Sequence, residues 1–424
     1  MAIPFGTEEL EFRLPRKNLL GIGSPRGSIP VSDVRREICS ILKKPVGGAP
    51  IFEMVKPKNR VTLICDDYTR PTPSSRILPP LLDELNKLGV EDEHITLFVA
   101  KGIHRIMTRN DMEDKFGLEV LDRIRTVHNE AEDDSKYRYL GTTSRGTPIW
   151  IHKTVADADV KIGVGVVEAH PYAGYGGGPK ILVGAASKKT IYANHMNLAT
   201  SLDAQAGRTN GNPCWMDWVE ISSKVRLDAV IDVVLDSKMQ VAKAVFGEPI
   251  TAQKEAINSF MSAYGVRFPE RADIVITSAN PKYFYLDQCT VAILNSANIL
   301  KQGGTRIVAA YCNEKLGPDH IARLYRDSMM RPWPTPEDYR NEIAEGRHED
   351  LADAPAIYKL FMLSSESDLI LVSKGLTQRE ISDLGLKFAV DMQDAVDKAL
   401  KEQGENAKIG VLPLGGMCLP YISQ

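Results

Sequence analysis

Three short apolar runs, each breaking off into polar residues, constrain this fold more than any other feature. Arg60–Ile64 (RVTLI) leads into Asp66-Asp67, Ile95–Ala100 (ITLFVA) is followed at once by KGIHR, and Lys161–Val167 (KIGVGVV) ends at Glu168-Ala169-His170. Apolar runs of this length, bounded by polar residues, read as strands. Between the first two, Ile77, Leu78, Leu81, Leu82, Leu85 and Leu88 recur at helical spacing before Gly89. Strand, helix, strand is the order of a βαβ unit.

The pattern returns beyond residues 262–271 (SAYGVRFPER), which read as a domain boundary. There the expectation is a strand at Ala272–Thr277, a helix from 288 to 301, a turn at Gly303-Gly304, and strands at Arg306–Ala310 and Asp368–Val372. Residues 319–360 read as helical with loops, Gln393–Gln403 as a terminal helix, and Ile409–Leu412 as a strand returning to the first domain. A chain of 424 residues exceeds what one core usually serves. The expectation is therefore α/β in two domains, residues 1–268 completed by 405–424, and residues 269–404.

Lys and Arg number 52 against 55 Asp and Glu, so no overall field attracts nucleic acid or an acidic membrane surface. The six cysteines are far apart, with no CxxC pair, and read as reduced thiols of an intracellular protein. The N-terminus lacks a signal-peptide pattern, and no apolar run approaches a membrane span. A cytoplasmic protein with no nucleic-acid or membrane partner is expected.

Ligands of open α/β sheets gather beyond the carboxyl ends of strands, where Asp66–Arg70, Lys101–Arg105 and Glu168–Lys180 all fall. His104 and His170 each follow a strand. An imidazole both accepts and donates protons near neutral pH, and two of them on opposite sides of a substrate carbon suit an enzyme acting on both stereoisomers. The alternative is that either ring simply ties down a loop.

Gly174, Gly176, Gly177 and Gly178 permit positive φ or close backbone approach beside Lys180. They match neither GxGxxG nor GxxxxGK[ST], so a phosphate cradle and a tight structural turn both remain open. Lys180 is a candidate nucleophile or covalent tether. His195 is a possible metal ligand, although one histidine does not define a site. Asp67 and Arg70 can clamp a ligand or form an ordinary ion pair. His94, His128, His152, His320 and His348 read as structural.

The ordered set DYTRPTP (67–73), GIHR (102–105), HPYAGYGGGPK (170–180) and NH (194–195) resembles the nickel-pincer-nucleotide lactate racemase family across the N-terminal domain. The resemblance implies a two-domain α/β architecture with a cofactor cleft between the domains. It implies a nickel-pincer nucleotide, the pyridinium-3-thioamide-5-thiocarboxylic acid mononucleotide, joined covalently through Lys180 and holding Ni. His195 then falls on the family's nickel-ligating histidine, His104 and His170 on its acid/base pair, and Asp67 and Arg70 on its polar DxTR pair, with Gly176, Gly177 and Gly178 lining the cofactor.

The implied activity is a racemase or epimerase that inverts C2 of a small-molecule 2-hydroxy acid by reversible proton-coupled hydride transfer, with cofactor-maturation enzymes as partners. The likeness weakens in the second domain. Tyr283–Asp287 (YFYLD) resembles the family's YPxD-like segment, but Ala292 and Asn295 stand where its substrate-holding glutamine and lysine are expected. A substrate other than lactate is therefore expected, with Arg70, Lys282 or Lys301 as replacement cations. Two alternatives are an NAD-dependent 2-hydroxy acid oxidoreductase, which the missing dinucleotide fingerprint disfavours, and a non-catalytic nucleotide-binding protein.

Overall fold

In the computed structural model the three apolar runs become neighbouring strands of one sheet. The structure describes residues 1–317, 322–323, 325–326, 336–345 and 354–422, and the chain divides into two units, Gly27–Ser262, and Met1–Arg26 with Ala263–Gln424.

The Gly27–Ser262 unit holds a six-stranded sheet in the order Val241–Gly247, Ala229–Leu235, Val160–Val166, Val61–Asp66, Ile95–Ala100, Arg125–His128. Only the edge strand Val241–Gly247 is antiparallel. Val61–Asp66 is buried at every position, as a parallel strand covered on both faces must be. The predicted helix forms over Ser74–Lys87 and lays Ile77, Leu78, Leu81, Leu82 and Leu85 against Leu63, Leu97, Val99 and Ile162. Each fully buried aliphatic side chain of this kind contributes roughly 1.5–3 kcal/mol.

Register sets the placement of the loops. Val61 pairs with both Ile95 and Val160, Asp66 with Ala100, and Cys65 with Val164. Three strands thus end side by side, and the segments following Asp66, Ala100 and Val166 leave from the same edge. The central strand has its sequence-adjacent partner on one side and Val160–Val166 on the other, which makes this edge a topological switch point.

The other unit holds a second parallel sheet in the order Lys387–Phe388, Asp368–Val372, Leu300–Ala309, Ala272–Ser278, Ile409–Leu412, Leu19–Ile22. This corrects the expected domain limits. Ile409–Leu412 pairs with Ala272–Ser278 (Ile274 opposite Ile409) and with Leu19–Ile22, while Asn18 Nδ2 donates to Glu405 O and Ala407 O at 2.8 Å. A four-residue strand buried at all four positions needs a neighbour on each edge, and both are supplied here. The last residues and the first 26 therefore belong with the second unit and not the first. Gly303-Gly304 lies inside Leu300–Ala309, at a register shift, so it forms a bulge in place of the predicted turn. The preceding helix is Leu286–Ser296.

Much of the expected helical stretch 319–360, with His320 and His348, lies outside the described residues; the helices described there are Pro336–Ala344 and Ala354–Glu366. Among the described residues no helix is long and apolar enough to cross a membrane.

Candidate active site

The loop after Val61–Asp66 is anchored by its buried first carboxylate. Asp66 forms an ion pair with Lys115 Nζ at 2.7 Å and accepts the Thr72 hydroxyl at 2.5 Å, and Lys115 also donates to Arg70 O at 2.7 Å. With Asp66 occupied, the next carboxylate turns to other work. Asp67 Oδ2 accepts from His104 Nδ1 at 2.7 Å, and its Oδ1 accepts the Thr69 N–H at 3.1 Å and the Thr69 hydroxyl at 2.6 Å. Burial alone pushes the Asp67 carboxyl up, but the bond and charge of His104, then Thr69 and the nearby Arg70, outweigh it and hold the group below its ordinary value. An ionised Asp67 fixes the proton of His104 on Nδ1 and leaves Nε2 as the basic atom.

The ring of His104 stands half-exposed on a backbone that is tied down. Lys101 Nζ donates to His104 O at 2.6 Å. Buried Asn129 donates from Nδ2 to Gly102 O at 3.1 Å and Ala186 O at 3.0 Å, and receives the Tyr137 hydroxyl at 2.8 Å. The Asp67–Arg70 ion pair considered from sequence does not form. The carboxylate is taken by His104, and Arg70 Nη1 donates to Thr69, to the carbonyl at 3.3 Å and the hydroxyl at 3.5 Å.

His170 sits in a tight hairpin, where Ala169–His170 pairs antiparallel with Gly174–Tyr175. Its Nδ1 accepts the Ala173 N–H at 3.2 Å, so the neutral ring carries its proton on Nε2, the opposite arrangement to His104. Tyr172 stands edge-on between two imidazoles, its ring centre 4.6 Å from that of His170 and 5.0 Å from that of His195.

The Gly-rich turn is packed from beneath. Gly174 (φ 78°) would place a Cβ 2.1 Å from Arg208 O, and Gly178 (φ 51°) one 2.5 Å from the Gln253 side chain, so neither position accepts another residue without displacement. The backbone N–H groups needed for a phosphate cradle are largely spent internally: Gly176 donates to Glu168 O at 2.9 Å, Gly178 to both oxygens of Asp232 at 2.9 and 3.0 Å, and Lys180 to Gly177 O at 3.2 Å. The turn delivers Lys180 into a run of 3-10 turns, Gly178–Ala185. Part of this residue meets solvent, yet burial around its amine, then the charge of Arg70, lowers the amine to about 8.

His195 follows the helix Lys188–Asn194 and opens a single π-type turn, His195–Ala199. It is 5% exposed. Burial, then the charge of Lys180, pushes its imidazole down to about 3, so it is neutral at any working pH. Its Nδ1 is buried with no hydrogen-bond partner among the described residues, which is costly unless something else satisfies it. A neutral imidazole with an orphaned nitrogen is the donor chemistry of a nickel or similar metal ligand, and a low-pKa amine within its field suits a covalent tether. These residues fit the cofactor implied by the sequence.

A lactate racemase N-terminal domain model matches residues 5–207, and a lactate racemase C-terminal domain model matches residues 268–419. The chain belongs to the lactate racemase family. It is 29% identical over 420 residues to the lactate racemase of Thermoanaerobacterium thermosaccharolyticum, covering 97% of each chain, and 27% identical over 379 residues to that of Lactiplantibacillus plantarum, covering 88% of each. The solved lactate racemase apoprotein of Thermoanaerobacterium thermosaccharolyticum aligns with a TM-score of 0.88 at 26% identity, across 100% of this chain and 99% of its own. A Thermotoga maritima protein at 15% identity and TM-score 0.64 shares the fold alone. As a member of this family the chain is a racemase, an isomerase.

Sequence reading passed over Lys115, Asn129, Asp232 and Gln253. One signal was present, since Asp232 interrupts the apolar run AVIDVVL, and a charge inside a buried strand asks for a partner. Tyr172 lies within the HPYAGYGGGPK element, but nothing in the sequence marks it as the ring between two histidines.

Proposed function

We propose that this racemase inverts C2 of a small 2-hydroxy acid, with Lys180 as covalent tether of a nickel-pincer nucleotide, His195 as ligand to its Ni, and His104 and His170 as the proton-transfer pair. Asp67, Arg70 and Gly176–Gly178 line that cofactor. The observation that carries the reading is the buried Nδ1 of His195, which has no hydrogen-bond partner among the described residues, on an imidazole that burial and the charge of Lys180 hold neutral.

When bound, the nucleotide supplies a reversible acceptor for the hydrogen on C2. The protein residues then manage protons and orientation. His104, with Nδ1–H on Asp67, offers the Nε2 lone pair to the substrate hydroxyl, and the buried carboxylate stabilises the imidazolium that results. His170 presents Nε2 to the oxygen on the other face; its Nδ1 takes the Ala173 N–H in the neutral ring, and as the imidazolium it gives one proton to that oxygen and reverts to the neutral ring. Inversion consumes no diffusible redox partner. The reading includes a cytoplasmic enzyme whose partners are the cofactor-maturation enzymes, and the six free cysteines accord with that compartment.

The test is production together with the cofactor-making enzymes, followed by the mass of the Lys180 peptide, nickel per chain, and the fate of a C2-deuterated substrate. The expected result is a nucleotide-sized mass increment on Lys180, one nickel per chain, and deuterium retained at C2 in the inverted product. A matured chain with neither increment nor nickel, whose Lys180→Ala variant kept full activity, would end this assignment.

A further inference from the structure

Asp232 is a buried carboxylate, 1% exposed, in the middle of the strand Ala229–Leu235, and the proton transfers described above give it no task. Both its oxygens receive the same N–H, that of Gly178, at 2.9 and 3.0 Å. From another element, fully buried Gln253 in the helix Pro249–Tyr264 donates Nε2 to Gly176 O at 2.9 Å and Gly177 O at 3.1 Å. Its own carbonyl is held by Trp215 Nε1 at 2.9 Å, which fixes the amide's orientation. Two consecutive peptide units of the Gly-rich turn, 176–177 and 177–178, are thus gripped by two buried side chains from outside the turn.

Packing repeats what the hydrogen bonds say. A Cβ on Gly177 would lie 2.6 Å from Asp232 Oδ1, and one on Gly178 would lie 2.5 Å from the Gln253 side chain. The turn has glycines where these two side chains press against it, and it ends two residues before Lys180. A glycine-rich segment is otherwise the loosest backbone in a chain. Its N–H and C=O groups could be satisfied by water at the strand ends, so spending two buried polar side chains on them calls for a reason beyond satisfaction.

We propose that Asp232 and Gln253 are positioning residues that hold the Gly176–Gly178 turn rigid, so that Lys180 is presented in one place to the nucleotide it tethers. This rests on the assignment of Lys180 as tether. It assigns to the turn a mechanical task in place of phosphate binding. Burial, opposed by the Gly178 N–H and reinforced by neighbouring Asp66, raises the Asp232 carboxyl to about 8, so a neutral acceptor at this position serves as well as a charged one.

The test compares Gln253→Met, which keeps the volume and deletes the donors, with Asp232→Asn, which keeps an acceptor oxygen for Gly178, and Asp232→Leu, which deletes it. Each full-length variant is made alone and together with the maturation enzymes. Three quantities are measured: amide exchange in the peptide spanning residues 174–182, the fraction of chains carrying nucleotide mass on Lys180, and Tm. Gln253→Met is expected to speed exchange in that peptide at least tenfold, to cut the tethered fraction below half, and to leave exchange in the sheet strands unchanged. Asp232→Asn is expected to match the unmodified chain in both readouts, and Asp232→Leu to behave as Gln253→Met does.

The proposal is overturned if Gln253→Met shows unchanged exchange at 174–182, or if its faster exchange extends equally through the sheet, which is general destabilisation. It is also overturned if exchange rises locally while tethering stays complete. Should Asp232→Leu fail to fold, Gln253→Met decides alone. Absence of mass on Lys180 in the unmodified, matured chain would instead count against the tether assignment, and would remove the stated purpose of the rigid turn even if the exchange results held.

Discussion

Asp67→Asn is the substitution whose consequence the geometry specifies most closely. Asp67 splits its two oxygens: one accepts two bonds from Thr69, the other accepts His104 Nδ1 at 2.7 Å. An asparagine has one oxygen and one NH2 for the same two places. Two donors from Thr69 outweigh one from His104, at about 1 kcal/mol net per hydrogen bond, so the amide settles with its oxygen on Thr69 and its NH2 facing the imidazole. His104 Nδ1 must then accept, the ring proton moves to Nε2, and the atom that should take the hydroxyl proton no longer can. Restoring the productive tautomer costs about 1 kcal/mol. Losing the charge beside the imidazolium costs about 1–2 kcal/mol more, a figure reduced from the usual ~1.5–3 for charged hydrogen bonds because the His104 side chain is 45% exposed. Together about 2–3 kcal/mol lowers kcat/KM roughly 30- to 160-fold. The assay is the initial rate of optical inversion of a 2-hydroxy acid in either direction, normalised to tethered nucleotide and nickel. A normalised rate within threefold of the unmodified enzyme would refute the tautomer argument, as would a loss that merely tracks poorer cofactor loading.

Four other outcomes follow from the same structure. In chains made without the cofactor, acylation of Lys180 by an amine-selective reagent is expected to reach half its maximal rate near pH 8, well below an ordinary lysine, as followed by peptide mass. Its folded amine sits at about 8 against 10.5 for an ordinary lysine, so between those values the unfolded chain binds more protons and stability rises with pH; Lys180→Met should flatten that rise in urea titrations. Asn295→Ala leaves the buried carbonyls of Gly415 and Cys418 without the bonds they receive at 3.1 and 3.0 Å, and should cost about 2–4 kcal/mol in urea denaturation. Gly178→Ala puts a side chain at φ 51° against Gln253, and is expected to cost about 2 kcal/mol or more, read as Tm, with loss of the Lys180 tether.

Those expectations divide along the same line as what could be read from the chain itself. The strands Val61–Asp66, Ile95–Ala100 and Val160–Val166 were legible because burial on both faces leaves a continuous apolar run, and the polar residues that close each run marked the ligand edge. The home of Ile409–Leu412 was not, because four apolar residues carry no mark of which sheet they complete; that was settled by the distant Leu19–Ile22 and Ala272–Ser278. Similarly, the choice of His104 over Arg70 as partner of Asp67 depends on Lys115 and Thr72 consuming Asp66 first, a competition between residues far apart in the sequence. The glycines of the Gly-rich turn were read for their freedom, whereas the side chains pressing on them, Asp232 and Gln253, are remote in the chain.

The same competition for partners bears on the substrate. Ala292 is fully buried, and the Asn295 amide is committed to the Gly415 and Cys418 carbonyls, so neither side chain can hold a carboxylate. Lys301 is excluded by position: its amine pairs with Asp273 at 2.7 Å, and both residues lie at the N-terminal ends of parallel strands, whereas ligands collect at the C-terminal ends. Arg70 follows the C-terminal end of the central strand, donates to Thr69 through long bonds, and is felt electrostatically by both Asp67 and Lys180. A guanidinium that favours the charged form of that carboxylate and the neutral form of that amine lies within the field of both, and its fork can take a carboxylate through two parallel bonds. Arg70 therefore combines the right edge with donors that no carboxylate claims among the described residues. If it holds the substrate, Arg70→Lys should raise KM far more than it lowers kcat, because a point charge cannot reproduce the two-pronged contact; a change confined to kcat would place Arg70 with the chemistry instead.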